Sequence, residues 1–124
     1  MKLSQGLKTT FLIHFIVALL FGLSFLLIPI AVGNLYGLNV QEPDIYRLLG
    51  AAMLGFAVSS WLAYGATDWE SVRIVVVMEL VWTVLGALVM LYALLIAGFP
   101  ALGWINAVVL AAFAIAFGRF YFQK

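Results

Sequence analysis

The chain has 124 residues, of which 67% are apolar and 9% charged, with no cysteine and a formal net charge of +1. That length suits one small domain, but a soluble domain is about half apolar and a quarter charged, so water is excluded as the solvent for most of this surface. The near-neutral charge offers nucleic acid no basic patch, and one histidine with five acidic residues gives no expectation of a zinc or di-iron centre.

The first element follows Lys2 and Lys8. Its apolar run, 11–32, is longer than the roughly 7–15 residues of a signal-peptide core and matches a membrane span of about 20 residues. A first helix is therefore expected over 9–30 and is read as retained. The stretch "NLYGLNVQEPD" (34–44) reads as a turn-rich connection. Pro43 suits a first helical turn, where its missing N–H costs nothing, and a second helix is expected over 44–65. "TDWE" (67–70) has the spacing of a capping box, with Thr67 as N-cap and Glu70 at N3, opening a third helix over 70–97. "GFP" (98–100) makes a turn, and Pro100 opens a fourth helix over 100–121. Backbone in lipid must satisfy its own hydrogen bonds, which leaves helices as the spanning form. The expected fold is all-α: one integral membrane domain over 1–124, a transmembrane antiparallel four-helix bundle.

Four spans place both termini on one side, and the distribution of Lys and Arg identifies that side. Lys2, Lys8, Arg73, Arg119 and Lys124 lie at the termini and the 2–3 connection, against Arg47 alone on the other face. Both termini are expected in the cytoplasm, and the protein in a prokaryotic cytoplasmic membrane. Tyr36, Tyr46, Tyr92 and Trp104 then fall near the outer interface, and Trp61, Tyr64, Trp69 and Tyr121 near the inner one. Trp82 falls in mid-span and reads as a packing residue. No internal repeat supports the inverted halves of a transporter.

Helices in lipid associate through small residues and a few polar bonds. Stripes at four-residue spacing are Thr10, His14, Ala18 and Gly22 on helix 1, and Ala51, Gly55, Ser59 and Ala63 on helix 2. Helix 3 offers Glu79, Thr83 and Ala87 with Gly86 alongside, and helix 4 offers Gly103, Ala107 and Ala111. Their coincidence predicts a shared interior.

"VVVMELVWTV" (75–84) sets Glu79 inside an unbroken apolar run. Counted from the cytoplasmic ends, Glu79 lies about 13 Å deep and His14 about 8 Å deep at 1.5 Å per residue, with Ser59 and Ser60 at a comparable level. Charge in hydrocarbon is costly, so Glu79 should face the bundle and find a partner. The expected intramembrane cluster is His14, Ser59, Glu79 and Thr83, with His14 and Glu79 sharing a proton if they touch. A neutral Glu79 that fixes helix register is the plainer reading and is placed ahead of a proton or ligand site, with contact to a partner subunit third. At the outer face Asn34, Asp44, Arg47 and Asn106 form a smaller polar group. Asp44 and Arg47 have the i,i+3 spacing of a local ion pair, and that reading is preferred to Arg47 turning inward toward Asn106.

"NLYGL" (34–38), "RLLGAAMLGFAVSSWLA" (47–63) and "VRIVVVMELVWTVLGAL" (72–88) resemble a group of small prokaryotic four-span membrane proteins of unknown function. The general layout is similar to that of DoxX-like four-helix membrane proteins. The resemblance implies the four-span fold and supplies no substrate, cofactor or catalytic residue.

No catalytic or phosphate-binding motif is present, and an enzyme is not expected. The leading expectation is a structural or accessory membrane protein that packs through its helix faces into a homo-oligomer or a larger complex. The alternative is a binder or carrier of a small apolar ligand, a lipid or quinone, between helices near Glu79, Trp82 and His14. Proton-coupled transport through Glu79 ranks third. The lipid bilayer is the one certain surrounding, and no metal, cofactor or nucleic acid is called for.

Overall fold

The computed structural model describes residues 1–123; Lys124, counted above among the cytoplasmic charges, lies outside them. The described residues form five helices and no named strand: α1 (Gln5–Leu27), α2 (Pro29–Leu35), α3 (Pro43–Gly65), α4 (Trp69–Leu95) and α5 (Gly103–Phe122). All except α2 are long and apolar enough to cross a membrane. Their outward faces carry Leu20, Ile74, Val108 and Ile115, each at least 60% exposed. So much contiguous apolar surface has no place in water.

Local chemistry sets each boundary. Ser4 accepts a hydrogen bond from the Leu7 N–H, so α1 starts four residues before the expected Thr9. It ends early as well, because Pro29 cannot donate to the preceding turn and instead opens the separate α2. This short helix falls where only the end of the first span and a turn-rich connection are expected. Its end is closed by Gly37 at φ +79°, with Leu38 N–H bonded to the Gly33 carbonyl (2.9 Å) and Gly37 N–H to that of Asn34 (3.0 Å). That is a Schellman closure, which needs the left-handed backbone that glycine adopts freely. Pro43 does occupy the first turn of α3.

At α4 the cap is Asp68, whose carboxylate accepts from the Ser71 N–H (3.0 Å) and hydroxyl (2.8 Å). Thr67 is not the cap because its carbonyl is engaged elsewhere, accepting from Leu3 N–H (3.2 Å), while Met1 accepts from Trp69 N–H (2.9 Å). The N-terminal segment and the α3–α4 connection are thereby tied together. Residues 100–102 form turns, so α5 begins at Gly103 rather than at Pro100.

α1 packs most extensively on α3, and α4 on α5; contacts between the two pairs are sparser. α1 and α3 touch at Gly22 and Gly50. A Cβ on Gly50 would sit 2.7 Å from the Gly22 carbonyl oxygen and 2.7 Å from the Leu26 nitrogen, so backbone meets backbone there. Of the expected α3 stripe, Ala63 is buried and the other three positions are not. Gly50, Ala57, Ser60 and Ala63 are the buried positions, while Ala51 and Gly55 are exposed. The α4 stripe is placed as expected, with Glu79, Thr83 and Ala87 buried. Below the polar residues, toward the N-terminus, Leu7, Phe11, Val72, Val76 and Phe117 fill the interior at 0–1% exposure.

Candidate functional site

Each spanning helix contributes to one buried polar centre. His14 comes from α1, Ser60 from α3 and Glu79 from α4, at 3%, 0% and 0% exposure. Phe113 and Phe117 of α5 meet the imidazole edge-on, at centroid distances of 4.8 and 5.7 Å. The imidazole Nδ1 lies 2.8 Å from the Ser60 hydroxyl oxygen. Ser60 in turn donates to Glu79 Oε1 at 3.3 Å. Glu79 Oε2 lies 3.0 Å from His14 Nε2, within ion-pair distance but off the line of a well-formed hydrogen bond. The three side chains therefore close a ring of contacts.

Proton accounting shows what such a ring can do. With the Ser60 hydrogen directed to Glu79, Nδ1 is the donor to the serine oxygen. One further proton remains for the gap between Nε2 and Oε2. On nitrogen it makes an imidazolium–carboxylate pair; on oxygen it makes neutral imidazole and carboxylic acid. Either placement leaves the ring with zero net charge, the tolerable condition in a low-dielectric interior. A ring of this geometry can hold a proton in that gap with no net charge.

Serine, histidine and a carboxylate are also the residue types of a nucleophilic triad. The arrangement differs from one in two respects. Ser60 donates to the same carboxylate that faces the imidazole, and among the described residues it does not border the cavity described next. Its oxygen is sealed from a substrate.

Beyond this ring, away from the N-terminus, lies a cavity of about 360 Å³ walled by all four spanning helices. His14, Ala18, Met53, Trp82, Gly86 and Phe113 are among its walls. The lining is apolar apart from His14, the Trp82 indole and Asn106. Trp82 packs against Phe56 at 5.1 Å, which agrees with its expected packing role and also sets it on the cavity wall. The volume falls in the range of about 300–1,000 Å³ usual for small-molecule sites, and is more than twice the roughly 150 Å³ of an engineered apolar cavity that takes up benzene.

At the far end of the cavity, Tyr36 donates its hydroxyl hydrogen to Asn106 Oδ1, joining the segment after α2 to the start of α5. Burial pushes the Tyr36 phenol above its ordinary range, with the Asn106 bond pulling the other way, so it remains a protonated donor.

The expected clusters are thus redistributed. His14 and Glu79 meet. Thr83 is fully buried one turn along but gives its hydroxyl to the Glu79 backbone carbonyl (2.6 Å) rather than to the carboxylate. Ser59 lies outside the centre and donates to the Gly55 carbonyl of its own helix (2.9 Å); Ser60, beside it in sequence, takes the place assigned to Ser59. Asp44 and Arg47 form an exposed ion pair at 2.7 Å. Asn106 joins Tyr36 instead of Arg47, and Asn34 sits exposed on α2, so the second group is not one cluster. Tyr36, Phe113 and Phe117 carried no sequence signal beyond aromaticity. For Ser60 the signal was the serine pair itself, one member of which must face inward.

No family model, curated protein or solved structure matches the chain. Function is therefore argued from the site's own chemistry.

Proposed function

We propose that this is a multi-pass protein of a prokaryotic cytoplasmic membrane, both termini cytoplasmic and successive spans antiparallel, that binds one small apolar ligand of lipid or quinone type between its helices. The observation that carries this reading is the partly open cavity of about 360 Å³ lined by α1, α3, α4 and α5. An interior meant only to hold helices together gains from close packing, since voids forfeit dispersion contacts. Here the half of the bundle near the N-terminus is filled by large side chains, while in the other half Ala18 and Gly86 leave space among larger neighbours on the cavity wall. The polar ring lies at the cavity's floor through the His14 imidazole, and supplies an oriented, net-neutral surface.

Assembly into a homo-oligomer or a larger complex ranks second, because the outward apolar faces suit lipid equally well. Proton coupling through the His14–Glu79 gap ranks third; its support is the ring's capacity to hold one proton in either of two places.

The test is recovery of the ligand. The protein is excised from its native membrane in polymer-bounded discs, without detergent, and its bound small molecules are identified by mass spectrometry. One apolar species near unit stoichiometry is expected with the native sequence, and its loss in Ala18→Phe, which fills the cavity. Equal lipid content in both, with no enriched species, would remove the ligand reading.

A further inference from the structure

Asn106 is the one side-chain amide on the cavity wall, and its two ends are in different situations. Its Oδ1 is committed to the Tyr36 hydroxyl. With Oδ1 turned to Tyr36, the amide nitrogen is the end left for a ligand. Nδ2 keeps two N–H donors, and among the described residues no acceptor meets them. At the opposite end of the cavity both imidazole nitrogens of His14 are already engaged, by Ser60 and Glu79. The lining therefore offers a ligand hydrogen-bond donors, the Asn106 amide at one end and the Trp82 indole N–H on the wall, and almost nothing that accepts; the Met53 and Met90 thioethers are weak acceptors at best.

From this we infer that Asn106, held by Tyr36, selects apolar ligands that carry a carbonyl oxygen at the end of the cavity nearest α2. The inference rests on the ligand reading above and adds the chemical class. A carbonyl accepts from Nδ2 and has no hydrogen of its own to satisfy. A hydroxyl in the same place brings a hydrogen that the walls leave unpaired, and a plain hydrocarbon leaves the amide donors unpaired. A buried group without a partner is the costly outcome. From Asn106 to Phe113, which meets His14, is seven residues along α5, about 10 Å of rise. The body of the ligand is therefore compact, two or three fused rings or a short branched chain, with its carbonyl at the Asn106 end and its apolar end against His14 and Phe113. Tyr36 acts as a positioning residue: it does not need to touch the ligand, only to keep Oδ1 turned away from it.

One carbon skeleton in three forms tests this: fluorene, 9-fluorenol and 9-fluorenone, titrated into lipid discs holding the full chain, with protein-free discs of the same lipid as the partition blank. The native sequence is expected to bind the ketone about five- to tenfold more tightly than the hydrocarbon, the worth of one net hydrogen bond. The alcohol should fall below the ketone. The carbonyl stretching band of bound fluorenone should move to lower wavenumber than in lipid. In Asn106→Leu the ketone and hydrocarbon should bind equally and the band should return to its lipid position; Tyr36→Phe should give a partial return. Binding of fluorene and fluorenone with equal affinity by the native protein, or a carbonyl band indifferent to Asn106→Leu, overturns carbonyl selection while the cavity remains a binding site. Binding of none of the three overturns the ligand reading and this inference with it. The ranking in the native protein stands without any variant, so a misfolded Asn106→Leu does not leave the question open.

Discussion

Removing either half of the His14–Glu79 contact leaves the other half buried alone. Loss of one partner from a buried pair typically costs about 3–5 kcal/mol, whereas replacing both with apolar groups is often neutral. His14→Leu and Glu79→Leu are each expected to destabilise the protein on that scale when unfolded by SDS titration in mixed micelles. The double variant should lose far less than the sum; additivity within about 0.5 kcal/mol would mean the groups do not interact. Ser60 and Ser59 give a second comparison between neighbouring residues. Ser60 bridges imidazole and carboxylate, so Ser60→Ala should cost about 1–3 kcal/mol. Ser59 bonds only its own helix, so Ser59→Ala should stay within about 0.5 kcal/mol. The reverse order in the same titration would move the polar centre off Ser60.

Helix packing shows the same one-residue sensitivity. Gly50 stands where α1 and α3 approach backbone to backbone, and a methyl there has no flexible neighbour to displace. Gly50→Ala is expected to cost about 1–3 kcal/mol, as overpacking does. A Cβ on Gly55 meets nothing within 4 Å, so Gly55→Ala should be close to neutral. Equal effects in a thermal melt would place the contact elsewhere. These two glycines also show what the sequence could and could not convey. The number and length of the apolar helices were legible, because hydropathy and proline positions depend on local chemistry alone. The inward face of α3 was not. Small residues occur all along that helix, and a stripe drawn at strict four-residue steps turns about 40° per step away from the 3.6-residue period. The buried set Gly50, Ala57, Ser60, Ala63 runs instead in steps of seven and three residues, which turn the opposite way around the helix and meet the strict stripe only at Ala63. On α4 the one carboxylate within the apolar run, Glu79, marked the inward face without ambiguity. The cavity was unreadable for a different reason: it depends on distances between helices, which no stretch of one helix encodes.

At the scale of the whole molecule, the account rests on four crossings that bury an ionisable ring and line a partly open cavity beside it. The connections constrain the ends already. Backbone bonds join Met1 and Leu3 to residues 67–69, and Tyr36 joins Asn106, so the two ends of the bundle have different sets of loops. The sequence contains no cysteine, which makes single-cysteine labelling clean. Lys2, Gln41, Glu70, Ala97 and Gln123 are all exposed and sample the two termini and the three connections between spans. The most direct measurement is therefore reaction of a membrane-impermeant maleimide with each single-cysteine variant in intact cells, compared with everted vesicles. The expected result is labelling at 41 and 97 in cells, and at 2, 70 and 123 only in everted vesicles. Labelling of 41 and 70 from the same side would mean that α3 does not cross, and the buried ring and the cavity would have no bundle to form them.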